Sequence, residues 1–204
     1  MNATKATEQT TAGRAEPSDT RTRLVMATAT LLQRQGYEGT SIKQILNEAA
    51  ATYGSLYHHF PRGKEELAAE ALRFGAEDFA ELLRQGLTAT DDPADAIAGC
   101  AHLMADALRE SDWTDGCPVA ATALEIIGRS PLIQRASDEA LRQWRELIAV
   151  RLRDAGMPEG EAAALACTVL SALEGAELIS RVSGDDAPLR CAAEHLATLV
   201  RASL

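Results

Sequence analysis

Apolar residues recur at helical spacing along almost the whole chain, and nowhere do they alternate one by one as a half-buried strand requires. That pattern confines the fold to packed helices. In the first periodic segment Leu24, Thr28, Leu31, Leu32 and Gln35 follow the i, i+4, i+7, i+8, i+11 pattern, which puts the three leucines on one stripe. Gly36 ends the segment, as glycine does where a helix leaves through a left-handed residue.

Punctuation divides the rest into about nine helices. Thr40 or Ser41 caps a second helix, 42–49, whose Ile42, Ile45 and Leu46 form a core stripe. Ala49-Ala50-Ala51 makes a tight connection. Thr52 caps a third helix through His59, and Phe60-Pro61 stops it because a residue before proline disfavours the helical region. A fourth helix covers 64–85 with Leu67, Ala71, Phe74, Asp78 and Leu82 on one stripe, apolar except at 78. Further helices are expected over 93–110, 119–128, 131–155, 159–182 and 187–202, separated by Gly-, Pro- and Asp-bearing breaks. Residues 1–19 are polar and read as a disordered arm. The expected organisation is all-α: the arm at 1–19, a three-helix module at 20–66, and a larger helical domain at 67–204.

Charge follows the same division. The chain carries a net charge of -10, yet residues 1–66 hold eight basic and seven acidic residues. The acidity therefore belongs to the larger part, and only the first part is suited to approach a polyanion. The longest apolar run is six residues, 162–167, against about 18 for a membrane span. No membrane association is expected, and the location is expected to be cytoplasmic. Cys100, Cys117, Cys167 and Cys191 have no CxxC spacing and no histidine cluster, so they read as reduced, mostly buried thiols. No P-loop, dinucleotide fingerprint, nucleophile elbow or zinc motif occurs, and His102 with Cys117 lacks a third orienting group. An enzyme, a cofactor and a bound metal are accordingly not expected.

The module at 20–66 has the parts of a helix-turn-helix: a short helix, a turn of small residues, and a second short helix with one exposed side. Leu56 and Phe60 form its inner side. Thr52, Tyr53, Ser55, Tyr57 and His58 form the outer one, with donors and no acid, suited to phosphates and base edges. Two readings stand for Tyr57, a DNA contact or packing beneath the helix, and Lys43 reads equally as a contact or a solvated charge. The segments Thr40-Ser41-Ile42-Lys43-Gln44-Ile45, Gly54-Ser55-Leu56-Tyr57-His58-His59-Phe60-Pro61 and Gly63-Lys64-Glu65-Glu66-Leu67 resemble the TetR family of bacterial transcriptional regulators. The detailed match covers 20–67. Asp115-Gly116-Cys117-Pro118-Val119-Ala120-Ala121 is similar to a subgroup that includes lincomycin-resistance and flavonoid-responsive repressors.

The resemblance implies a repressor released from double-stranded operator DNA by a small-molecule effector. It implies phosphate contacts from Thr40, Ser41 and Lys64, a recognition helix capped by Thr52 with Tyr53, Gly54 and Ser55 at the groove, and backbone contacts from Tyr57 and His58. The subgroup often has Lys or Arg at the position of Tyr53, so bidentate guanine readout is lost there. It also implies a homodimer through helices 159–182 and 187–202, on stripes of Leu165, Val169, Leu173, Ala176 and Ile179 or Ser180 in the first and Leu189, Ala192 or Ala193, Leu196, Leu199 and Val200 in the second. The effector pocket is expected among helices four to seven, with Phe74, Phe79, His102, Trp113, Cys117, Glu125 and Trp144 as candidates. Phe74 and Trp144, at helical spacing, are more often core than pocket wall. Glu125 is the oddity, a carboxylate in an apolar helix that must be paired, protonated or exposed. A sensor that acts through a protein partner without DNA is the alternative reading.

Overall fold

In the computed structural model, which describes residues 19–204, the helices run α1 Thr20–Gln35, α2 Ile42–Glu48, α3 Tyr53–His59, α4 Lys64–Thr88, α5 Pro93–Glu110, α6 Pro118–Ile126, α7 Pro131–Asp154, α8 Glu159–Ser183 and α9 Ala187–Ser203. No strand occurs among the described residues. The expected arm, apart from Asp19, lies outside them.

Two apolar clusters form. The smaller gathers Leu24, Val25, Ile45, Leu46, Leu56, Phe60 and Leu67 from α1 to α4. Each such side chain stabilises the module by about 1.5–3 kcal/mol when fully buried. The larger gathers α4 to α9 and also takes Ala29 and Leu32 from α1. Helix α1 therefore belongs to both clusters: its N-terminal half holds the module and its C-terminal half is packed into the larger domain. Helix α4 does the same in the opposite direction, from Leu67 in the small cluster to Leu87 in the large one.

The short helices are defined by their caps. Ser41 Oγ accepts from Gln44 N (3.2 Å) while Gln44 Oε1 accepts from Ser41 N (2.9 Å). Thr52 and Ser55 form the same reciprocal pair at 3.2 and 3.0 Å. Such boxes satisfy donors that a seven-residue helix otherwise leaves bare. Between them Ala50 sits at φ +45°, a left-handed conformation that costs an alanine about 1–2 kcal/mol. Arg23 Nε donates to Ala49 O (3.1 Å) and ties this turn to α1.

Helix α8 has the length and composition of a membrane-crossing helix, yet it is packed between α7 and α9. Most of the stripe expected to face a partner points inward: Leu165, Val169, Leu173 and Ala176 of α8, and Leu189, Leu196 and Val200 of α9, are buried in this chain's own core, whereas Ile179 and Leu199 of the same stripes are exposed. The large apolar residues left exposed on these helices are Leu178, Ile179, Val182 and Leu199. Spacing alone identifies an apolar face and does not say which chain covers it. The thiols also divide: Cys100 and Cys117 are buried, whereas Cys167 and Cys191 are exposed.

Candidate DNA-binding face and effector cavity

The outer side of α3 is open. Thr52, Tyr53, Gly54, Tyr57 and His58 are exposed, Ser55 is half-buried, and no acidic residue lies on the helix. A Cβ placed on Gly54 would meet only Thr52 Oγ1 at 3.8 Å, so packing within the chain does not require glycine there. Tyr57 is 49% exposed with its ring edge against Gly63, so it both packs on the module and reaches its surface. Ser41 is exposed at the start of α2.

Thr40 and Lys64, expected at phosphates, are turned inward instead. Thr40 is fully buried and its hydroxyl donates to Gly36 O (2.7 Å). Lys64 Nζ donates to Tyr37 O (2.6 Å) and lies 3.8 Å from the centre of the Tyr37 ring. Burial lowers the pKa of this ammonium, against the opposing pull of Glu38 and Glu125. Lys64 thus holds the α1–α2 loop.

Helix α6 grips the same loop from the other side. Glu125 Oε2 accepts from Tyr37 N (2.6 Å) and Glu38 N (3.0 Å), and Arg129 pairs with Glu38 at 2.6 Å. Gly36, at φ +70°, is required here twice over: a Cβ would also stand 2.8 Å from Glu125 Oε1 and 3.0 Å from Ala121 O. The carboxylate in the apolar helix is paired, and its partners are backbone donors of the DNA module. A second tie lies at the end of α1. Arg34 pairs with Asp115 at 2.7 Å, and Arg181 of α8 donates to Arg34 O (2.9 Å) and Thr114 O (2.5 Å). Gly116 leaves room for that arginine, since a Cβ would lie 2.6 Å from its Nη1.

Beside this tie lies a cavity of about 800 Å³. Its walls come from α1 (Met26, Ala29, Thr30, Gln33, Arg34), α4 (Phe74, Gly75, Asp78, Phe79, Leu82), α5 (Met104, Leu108), the α5–α6 connection (Asp115, Gly116, Cys117) and Glu177 of α8. Pockets of such volume with apolar walls and a few polar groups take small molecules. Asp78, the break in the α4 stripe, is explained by this wall, and burial raises its pKa with help from Glu77.

The end of the cavity at α8 is chemically unusual. Cys117 Sγ and the carboxylates of Glu174 and Glu177 all lie within 4.8 Å of one another. Burial pushes Glu174 up to about 7, partly offset by a hydrogen bond with Cys117. Glu177 is pushed up to about 8 by burial and by Glu174, with Arg181 opposing. Burial also raises the Cys117 thiol, and that thiol accepts from Ala120 N (3.4 Å) as the cap of α6. Glu174 Oε1 is buried without a hydrogen-bond partner.

Comparison with known proteins decides the family. Residues 24–71 match the description "Bacterial regulatory proteins, tetR family", and residues 93–195 match "Transcriptional regulator LmrA/YxaF-like, C-terminal domain". The chain belongs to the TetR family. Among its TetR relatives, the HTH-type transcriptional regulator YxaF of Bacillus subtilis is 33% identical over 90% of this chain and 96% of its own length. The regulator LmrA of the same organism is 33% identical over 84% and 91%. A TetR transcriptional regulator from Chloroflexus aurantiacus superimposes with a TM-score of 0.74 at 30% identity, covering 89% of this chain and 94% of that one. The protein is thus a DNA-binding transcriptional regulator with the TetR fold, not an enzyme.

The structure gathers only some of the residues expected at the pocket. Phe74, Phe79 and Cys117 line the cavity. Trp144 is fully buried against Phe79, with Nε1 donating to Ala76 O (3.0 Å). His102 is exposed on α5 away from the cavity, Trp113 is half-buried against the larger core, and Glu125 serves the α1–α2 loop. Helix α7 does not line the cavity, whereas α1 and α8 do. The periodic reading of α8 passed over Glu174 and Glu177. Two carboxylates three residues apart inside an apolar helix were the available signal, the same kind that singled out Glu125.

Proposed function

We propose that this regulator is a ligand-responsive repressor that acts in the cytoplasm as a homodimer, with residues 20–66 on operator DNA and 67–204 holding the effector and the partner subunit. The observation that carries the reading is the wall of the cavity: α1 supplies five of its residues and is at the same time part of the DNA module's core. A molecule entering the cavity pushes directly on the helix that holds α2 and α3. Ser41, Thr52, Tyr53, Gly54, Ser55, Tyr57 and His58 are the proposed DNA contacts. Lys64 and Thr40 act by fixing the loop before α2. The exposed apolar residues Leu178, Ile179, Val182 and Leu199 support a dimer face on α8 and α9.

In the unliganded dimer the two α3 helices stand about 34 Å apart, one turn of B-DNA. The effector favours another spacing, and a difference of about 1–3 kcal/mol between the two states is sufficient for control. The test is a gel shift with the DNA upstream of the protein's own gene across a salt series, beside sedimentation of the free protein. A dimer whose specific complex weakens steeply with salt is expected. A folded protein with no specific complex on that DNA or on fragments selected from the genome rejects the proposal.

A further inference from the structure

We propose that the cavity is built for an organic cation, a molecule with an apolar body and a positively charged centre seated against Glu177. This rests on the effector reading above and names the chemical class of that effector. Three observations converge on it.

The first is the charge of the walls. Asp78, Glu110, Asp115 and Glu177 face the cavity, and among the described residues Arg34 is the one basic residue lining it. Arg34 is already engaged by Asp115 at 2.7 Å. The walls carry an excess of negative charge, with Asp78 and Glu110 exposed to solvent and Glu177 buried.

The second is the state of the acid pair. Glu177 lines the cavity, is only 8% exposed, and forms no salt bridge among the described residues. The Cys117 backbone amide is its hydrogen-bonding neighbour. Glu174 stands behind it with Oε1 buried and unpartnered. Arg181 is the basic group that acts on Glu177, opposing its shift only in part, and its Nη2 is held by the carbonyls of Arg34 and Thr114. A buried carboxylate without a counter-charge is strongly unfavourable unless a proton or a cation compensates it. Protons supply that compensation in the free protein. A bound cation supplies it instead.

The third is the apolar wall. Phe74, Phe79, Leu82 and Met104 face the same space, and aromatic faces attract cations as well as apolar bodies. A cavity of about 800 Å³ is far larger than a metal ion needs. Cys117 Sγ is already committed to Ala120 N as the cap of α6. A neutral occupant leaves the acids holding their protons, and an anionic one is repelled as they ionise; only a cation takes the place of the proton.

The test uses three molecules of nearly the same shape and different charge: tetraphenylphosphonium, tetraphenylborate and triphenylphosphine oxide. Each is titrated calorimetrically into the full-length protein, and each is added to the complex with DNA. Tetraphenylphosphonium is expected to bind at least tenfold more tightly than the other two and to weaken the DNA complex. Glu177→Gln keeps the size of the side chain and removes its charge. It is expected to lose tenfold or more of the phosphonium affinity while its affinity for the phosphine oxide stays within twofold. Equal affinity of the two proteins for the phosphonium overturns the proposal. So does a preference for the neutral or anionic compound; if that compound releases DNA, the effector reading survives without the cation. Tight Zn²⁺ binding that Cys117→Ser abolishes, and that excludes the phosphonium, reassigns the acids to a metal. If none of the three compounds binds or alters the DNA complex, both the cation and the effector reading of this cavity fall.

Discussion

In the helix-turn-helix module the exposed ends of α2 and α3 are closed by residues three positions away, Ser41 with Gln44 and Thr52 with Ser55. At the cavity the decisive polar contacts join distant parts of the chain. Glu125 meets Tyr37 across 88 residues, and Arg181 meets Arg34 across 147. The module's caps are satisfied locally, so its outer face is free to meet DNA. The cavity domain is held to the module by long-range contacts and keeps two buried acids that no salt bridge joins among the described residues. On the proposed reading, the region that recognises a fixed polymer is pre-formed, whereas the region proposed to change state with its effector keeps buried acids whose charge that effector would settle.

The largest effect is expected where the long-range contacts meet the module. Gly36→Ala places a Cβ against Glu125 at a positive φ, and a loss of about 2–4 kcal/mol is expected from clash and backbone strain together. Urea unfolding measures it, and a loss below about 1 kcal/mol removes this junction from the account.

Next comes the acid pair. The unfolded chain ionises these carboxyls near pH 4.5, whereas the fold holds their protons to about 7 and 8. Between those values the folded state binds more protons than the unfolded one, so stability falls as pH rises and levels off above the folded pKa. Glu177→Gln is therefore expected to stabilise the ligand-free protein by about 1–3 kcal/mol at pH 8.5 and to change little below pH 4.5. Thermal melts at the two pH values check the sign. A stabilisation that is the same at both would mean the carboxyl does not titrate with folding.

The recognition helix supplies the opposite case. Gly54→Ala meets open space, so the fold should gain about 0.5–1 kcal/mol from helix propensity. Operator affinity should fall tenfold or more, since the added methyl stands between helix and DNA. Anisotropy titrations and melts on one preparation separate the two effects, and unchanged affinity would move the groove contact elsewhere on α3. The smallest effect is local: Ala50→Gly relieves the left-handed turn between α2 and α3. A net gain of about 0.5–1 kcal/mol is expected once the greater freedom of unfolded glycine is subtracted.

What was legible in the sequence follows the same division. The succession of helices, the caps at Ser41 and Thr52 and the open face of α3 are local consequences of spacing and residue type, and the structure has them where periodicity puts them. Which apolar face meets which neighbour is not local. The stripe on α8 is real, but α7 and α9 of the same chain cover it. Trp144 and Phe79 lie within one ring contact of each other, yet only Phe79 reaches the cavity. Lys64 and Glu125 both reach Tyr37 from separate helices, an arrangement no motif spacing encodes. The shared wall of α1 likewise arises only from tertiary packing.

The most direct test of the coupling places an occupant in the cavity without touching α2 or α3. Thr30 of α1 lines the cavity and is half-buried, so Thr30→Trp projects an indole into it. The new fluorescence, blue-shifted, reports that the indole is inside, and anisotropy with labelled operator DNA reports the consequence. The account predicts a folded protein whose operator affinity is reduced tenfold or more. An indole buried in the cavity with operator affinity unchanged would contradict it.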